Sequence, residues 1–465
     1  MTGSNREAGG VSDAGRRIMD LLMHQYGNAD GLLAARVDVG KGVVLDARPL
    51  IDELGDYAQY ACAFGIQADD PAYVHWGERQ ILRSMELAQS RDGLIYAVAP
   101  WSAKRNLRPR FYNLLALCDT VWGMVEVFRL TRNPAIKLHL DQFIQAIFPS
   151  WILEGFAVYG GFKAGKRVCR LPITNVMLTG YLAEALTLFY EETREPDYLK
   201  HAESLIRPWL IPDYVEKNGF FPLRLELSSP PVNSLLEILF RARKKAPAFQ
   251  SAMVKGDAYL MFSLLAVHRV HPDEALRAAL ERWRMSLIRH MRSVDGRFHN
   301  FWDSRTRVAS SIALQTNHSL IEFLLDYYFD MKAEEALTQA MECAGAWLKK
   351  RTALGLIPNE DRRDVALLDP QVDFCVNLLK LGQITGDHTW LDAADDLLGA
   401  VLRHHHLPFG FAWAAHAREG KPLHGQIETK YLGLFLKLLI LHGEVLGGGK
   451  RIMEERGLRI LATDR

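Results

Sequence analysis

DYAQYACAFGIQADDP, residues 56–71, sets a carboxylate fifteen residues ahead of a proline, with an apolar stretch of helical spacing between them. The span returns in DTVWGMVEVFRLTRNP (119–134), YLAEALTLFYEETREP (181–196) and DAYLMFSLLAVHRVHP (257–272). Each proline stands where a second helix can start without needing its N–H. The chain therefore reads as an internal repeat of helix hairpins, a unit that cannot bury its apolar face alone and must stack on copies of itself. Equivalent polar residues then fall at equivalent heights around one axis.

Working outward, hairpins run over approximately 49–91, 111–148, 173–212, 251–293, 311–350 and 368–405, each as helix, short turn, helix. The leading helices, such as YLMFSLLAV and FCVNLLKL, are the more apolar, and the second ones carry the LRAALERWR and AWLKKR patterns of a solvated face. Inner and outer layers follow from that contrast. Longer Gly-bearing loops, among them DGLIYA from Asp92, YGGF from Tyr159, NGFF from Asn218 and DGRF from Asp295, lie at the end opposite the short turns. A final helix over 428–445 has no partner after it, so helix 11–25 is expected to close the ring with it, giving six or seven hairpins. The class is all-α, an (α/α)6 to (α/α)7 toroid with short β pieces in the long loops. The expected division is 1–46 as an N-terminal helix and loop and 47–465 as a single toroid domain.

Composition supports one large core. The chain has 465 residues, 49% apolar and 24% charged, with formal net charge +1, so no global field steers it to nucleic acid or membrane. Its five cysteines (Cys62, Cys118, Cys169, Cys343, Cys375) form no CxxC pair and read as packed thiols. The first residues lack the apolar run of a secretory signal, and a cytoplasmic location is expected. No cofactor is expected.

At this point the chain resembles the α/α-toroid carbohydrate-active enzymes: six- and seven-hairpin glycosidases, polysaccharide lyases and sugar epimerases. The hairpin repeat and Gly-aromatic loops such as Tyr159-Gly160-Gly161-Phe162 carry the resemblance, over about residues 49 to 445. It implies a substrate funnel where the long loops enter the inner helices. Glu428-Thr429-Lys430-Tyr431-Leu432 looks like the ETLKYL segment that closes seven-hairpin α-mannosidases, a short match from which no calcium dependence is inferred. The DxDD and DDxxD motifs of terpenoid cyclases are absent.

Near that mouth, Asp56, Asp119, Asp257 and Asp373 lie on apolar inner helices, where a carboxylate is costly unless paired or lining a wet cavity. With Glu428 they form the pool for acid and base roles at a glycosidic bond. Asp369, Thr174 and Asp52 suit N-cap duty instead. His318 takes the place of the carboxylate in the fifth repeat and, with Tyr112 or Tyr259, is suited to proton abstraction from a uronate. Asn317, Asn175 and Arg110 are available to stabilise the charge that this develops. Basic residues crowd the loops at the same end: Lys104, Arg105, Arg108 and Arg110; Lys163, Lys166, Arg167 and Arg170; Arg241, Arg243, Lys244 and Lys245; Arg305 and Arg307; Arg362 and Arg363. They point to an anionic carbohydrate, uronic-acid or sulfated. Trp101, Tyr159, Trp302 and Trp413 supply stacking faces, and Tyr112, Asn113, Tyr259 and Lys430 complete the expected substrate contacts. His404-His405-His406 fits no single metal site, because consecutive helix residues point in different directions. Hydrolysis by paired carboxylates is the expected activity, with uronate lyase or C5-epimerase chemistry and a non-catalytic glycan- or protein-binding toroid as alternatives.

Overall fold

The computed structural model describes residues 4–51, 53–95, 110–153, 155–158, 160–164, 167–170, 173–211, 213–222, 224–226, 251–361 and 363–447. Its longer helices are α1 (Ser4–Asp20), α2 (Ala58–Gln67), α3 (Pro71–Ala88), α4 (Leu114–Thr131), α5 (Pro134–Trp151), α6 (Val176–Thr193), α7 (Pro196–Ile206), α8 (Val254–Val270), α9 (Glu274–Ser286), α10 (Leu314–Met331), α11 (Glu334–Leu348), α12 (Leu368–Thr385), α13 (His388–His404) and α14 (Lys430–Val445). The even-numbered helices pack each on the next, and α14 packs back on α2, so seven inner helices close a ring. Each of α2 to α12 is backed by the outer helix that follows it, and α14 is backed by α1. The toroid has seven hairpins, and the seventh is assembled from the two ends of the described chain.

Pro71, Pro134 and Pro196 are the first residues of α3, α5 and α7, behind Asp70, Asn133 and Glu195. Asp70 and Asn133 accept hydrogen bonds from Ala72 N and Ala135 N, satisfying donors that a helix start leaves orphaned. Pro272 differs. It precedes the cap Asp273, so α9 begins two residues later, at Glu274.

After the outer helices the chain makes a recurring turn. Ser90 N donates to Leu94 O, Ser293 N to Arg297 O, Thr352 N to Leu356 O and Asn28 N to Leu32 O. Each encloses a glycine (Gly93, Gly296, Gly355, Gly31) with φ between 74° and 92°, a region where a side chain is strained. The loop after α5 uses Gly155, φ 85°, and not the expected Gly160-Gly161, which lie in strand Gly160–Ala164. That the turn at Gly31 follows α1 marks α1 as a true outer helix of the repeat.

Ring closure also uses strands. Ala34–Asp38 pairs antiparallel with Val43–Pro49 on one side and with Gln426–Glu428 on the other, Arg36 opposite Glu428. Thr429 fixes the junction: its Oγ1 donates to Ala34 O at 2.6 Å and its N–H to Ala35 O at 3.1 Å. Apolar side chains fill the space between the helix layers, with Trp76, Trp209, Trp283 and Trp347 among the buried ones. Cys62, Cys118, Cys343 and Cys375 are buried free thiols.

Candidate active site

The inner helices leave a cavity of about 290 Å³ on the ring axis. The residues reaching it follow one helical face per helix: Asp119, Trp122 and Glu126 on α4; Lys255 and Tyr259 on α8; Gln315, His318, Ser319 and Glu322 on α10; Asp369 and Asp373 on α12; Lys430, Leu434 and Lys437 on α14. Spacings of three, four and seven residues keep these side chains on one stripe. Asp56 comes from the 3-10 turn Leu54–Asp56 just before α2, Gln59 and Tyr60 from the start of α2, and Tyr181 from α6, its ring stacked on Tyr259 with centroids 4.3 Å apart.

The true register of the repeat is the first residue of the outer helix, not the proline. Fifteen residues before α3, α5, α7, α9, α11 and α13 stand Asp56, Asp119, Tyr181, Tyr259, Ser319 and Asp373, and all six line the cavity. This explains the displacement of Asp257. Two residues from both Lys255 and Tyr259, it faces the opposite side of α8, fully buried, with Oδ2 accepting from Phe221 N at 2.9 Å and Trp283 Nε1 at 3.2 Å. Burial pushes its carboxyl up to about 8. Asp257 anchors a loop.

Several other expected contacts also serve the fold. Asn317 is buried and clamps Phe298, accepting from its N–H and donating to its carbonyl. Asn175 caps α6 through Met177 N, the duty expected of Thr174. Trp302 is buried and donates Nε1 to Asn218 O. Glu428 is half exposed on its closing strand, and Trp413 packs near Tyr431, ring centroids 6.1 Å apart; neither lines the cavity. Arg170 ends a loop strand, also off the lining. Arg110, Tyr112 and Asn113 lie in the strand entering α4, where the description covers the backbone, and Trp101, Arg108 and Tyr159 lie outside the described residues. The three histidines diverge, His404 towards Gly420 O, His405 towards Ala412 O and His406 towards Arg17.

Asp369, expected as a cap, instead sits in the first turn of α12 behind the N-cap Leu367 and lines the cavity. Burial, then the neighbouring Asp373, push its carboxyl up to about 6. Asp373 is its opposite. Burial works against its charge, but Lys437 Nζ, 3.4 Å from Oδ1, and Lys255 hold it below the usual carboxylate range. His318 Nε2 lies 3.5 Å from Asp373 Oδ2 with no hydrogen-bond partner, and burial takes the ring down to about 4. Near neutrality the imidazole is therefore uncharged, so the lysines are what keep Asp373 ionised. Lys255 is held as an ammonium despite its burial, by Tyr259, Asp373, Asp369 and Glu322.

Beside it, where α14 meets the start of α2, is a second charged cluster. Lys430 Nζ lies 2.8 Å from Glu53 Oε1 and 3.6 Å from Asp56 Oδ2. Burial, then Asp56, raise Glu53 to about 9, so this cluster retains a proton at neutral pH. Counted round the ring, α4 is three helices from both α10 and α12, the largest separation that seven allow. Asp119 and Glu126 thus face His318, Asp369 and Asp373 across the opening.

Among the described residues the lining carries six carboxylates (Asp56, Asp119, Glu126, Glu322, Asp369, Asp373), three lysines and one neutral histidine, and two of the six are paired with cations behind the lining, Glu126 with Arg129 at 2.8 Å and Glu322 with Lys380 at 2.9 Å. The loop cations expected at the mouth are not among these residues. Arg305 and Arg307 are exposed, Arg363 pairs with Glu360 at 3.4 Å, and no arginine lines the cavity among the described residues. Lys104, Arg105, Lys166, Arg241, Arg243, Lys244, Lys245 and Arg362 lie outside the description. The signal that reveals the missed Asp369, Glu322 and Lys437 is the heptad stripe running from residues already singled out.

No family model matches the chain, and no curated protein matches it in sequence. Solved structures do. An alpha-1,2-mannosidase from Trichoderma reesei superposes with TM-score 0.68 at 12% identity, covering 94% of each chain. A D-mannose isomerase gives 0.59 at 12% identity, over 95% of this chain and 97% of its own. An unsaturated glucuronyl hydrolase specific for heparin gives 0.54 at 11%, over 95% and 98%. At such identities the likeness establishes the fold. The chain is an α/α toroid, the architecture of these carbohydrate-active enzymes.

Proposed function

We propose that the protein is a carbohydrate-active enzyme that hydrolyses a glycosidic bond held across the ring axis. One observation carries the reading: carboxylates on opposed helices face one small cavity, and on α12 their protonation is pushed apart. Asp369 keeps its proton up to about pH 6 and is the donor to the leaving oxygen. Asp119 on the facing wall is the candidate for activating water or attacking carbon. The Tyr181–Tyr259 stack and Trp122 offer aromatic faces for a sugar ring.

The cavity is at the small end of the roughly 300–1,000 Å³ usual for small-molecule sites, which suits a short oligosaccharide or a chain end. Asp369 and Asp373, which help to hold buried Lys255 charged, disfavour a uronate or sulfate placed beside them. The substrate is accordingly a neutral sugar, in place of the anionic one that the loop sequences suggested. The likeness to a mannosidase and a mannose isomerase is compatible with a neutral hexose.

A second reading rests on His318. An uncharged imidazole with an unpartnered Nε2 on the cavity wall is a competent base for removing a carbon-bound proton, the step of an epimerase or isomerase. Product analysis on neutral and uronic oligosaccharides decides between them. New reducing ends support hydrolysis. Deuterium uptake from solvent at a sugar carbon without cleavage replaces it with the second reading, and turnover confined to uronic substrates overturns the neutral-sugar assignment.

A further inference from the structure

The wall built on Lys430 raises a separate question: what holds three carboxylates together in a partly dry site. One oxygen from each of Glu53, Asp56 and Asp119 lies within 4.8 Å of the others, a spacing at which ionised groups repel. Such a trio in proteins is gathered by a divalent cation, by protons or by a basic side chain. Here the Lys430 ammonium is 2.8 Å from Glu53 and 3.6 Å from Asp56, with Glu428 at 3.9 Å and only 16% of its side chain exposed. We propose that Lys430 is a positioning residue that takes the place of a metal ion, gathering Glu53 and Asp56 beside Asp119 on the cavity wall so that the site works without one.

Geometry supports this independently of any titration. Lys430 opens α14 directly after Thr429, which strand Ala34–Asp38 holds through Ala34 O and Ala35 O. The ammonium is thereby delivered to a fixed point by ring closure rather than by a mobile loop. Glu53 Oε2 is buried without a hydrogen-bond partner, so the cluster has acceptor capacity that one ammonium leaves unfilled. Removing the cation while keeping the acids leaves two outcomes, uptake of further protons or capture of a metal ion.

The test is a titration with Tb³⁺, a luminescent probe of carboxylate sites, on the full chain. Wild type and Lys430→Arg should show no saturable binding at this cluster. Lys430→Met should bind one Tb³⁺ at least tenfold more tightly than wild type, and adding Asp119→Asn should remove the gain. Should Lys430→Met be too unstable to titrate, its thermal midpoint must rise with Tb³⁺ while that of wild type stays put, because a ligand of the folded state stabilises by mass action. Wild-type binding as tight as the variant's and abolished by Asp119→Asn overturns the proposal, as does a Lys430→Met protein that neither binds Tb³⁺ nor is stabilised by it. These readouts need no substrate. Absence of glycosidase activity would sink the proposed function and leave this inference standing.

Discussion

On one wall of the cavity Lys430 gathers Glu53 and Asp56 beside Asp119; on the other, Asp369 and Asp373 sit one turn apart on α12, and Lys437 approaches Asp373 alone. Both walls combine carboxylates with a lysine. On the first, burial and then the crowding by Asp56 raise Glu53 to about 9. On the second the same elements are spread along a helix, and one carboxyl rises to about 6 while the other is held down. Placement, not residue type, decides which wall stores protons and which separates them. That makes the α12 wall the one suited to donating a proton near neutral pH.

The sharpest way to break the comparison is Asp369→Asn. Loss of a general acid should lower kcat on an unactivated glycoside by about 10²- to 10⁴-fold, and far less on an aryl glycoside whose leaving group needs no proton. In wild type the rate should fall as pH rises through about 6, because the required form of Asp369 is the protonated one. A rate that instead climbs across that range would move the acid role to the Lys430 wall. Next in size is Lys437→Met. Without that ammonium the Asp373 carboxyl rises, and an Asp373 that is more often protonated no longer holds Asp369 up, so the alkaline limb of the pH profile should shift downward, with kcat down about tenfold near neutrality. His318→Gln follows: under hydrolysis it should cost tenfold or less, whereas abolition together with lost solvent exchange installs the epimerase reading.

The smallest effect is on stability. Asp257 has a folded pKa of about 8 against an ordinary carboxyl near 4 in the unfolded chain. Between those values the unfolded state has lost the proton that the folded state keeps, so the contribution is full below about pH 4 and is lost as pH rises to 8. Asp257→Asn keeps an acceptor for Phe221 N but does not ionise. It should melt higher than wild type at pH 8, by on the order of 1 kcal/mol, with the difference shrinking at pH 5.

The toroid was legible because hairpin repeats write themselves into sequence as periodicity plus turn chemistry. Asp56 and Asp119 reach the cavity for the reason that the repeat suggested. Asp257 does not, since the proline that marks the other outer helices precedes the cap in that repeat by one residue and throws the count off by two. Asp369 resembled a cap because an acidic residue before an apolar run has two explanations that spacing alone does not separate. The basic loops are a different matter: charge in a loop is solvated by default, as at Arg305 and Arg307, and its sequence position says nothing about whether a side chain turns inward. Asn317 and Asn175 were polar at inner-helix starts because loops have backbone groups to satisfy there, a demand as strong as that of a substrate.

Six hairpins of this ring are joined by a turn, and the seventh has no covalent link between its two helices. A ribosome producing the chain releases α1 first and α14 last among the described helices, so α1 waits for its partner through the synthesis of all the others. Until α14 docks, Glu53 and Asp56 stand together without the Lys430 ammonium that lies between them. Assembly of the final seam and completion of the Lys430 cluster are thus a single late event.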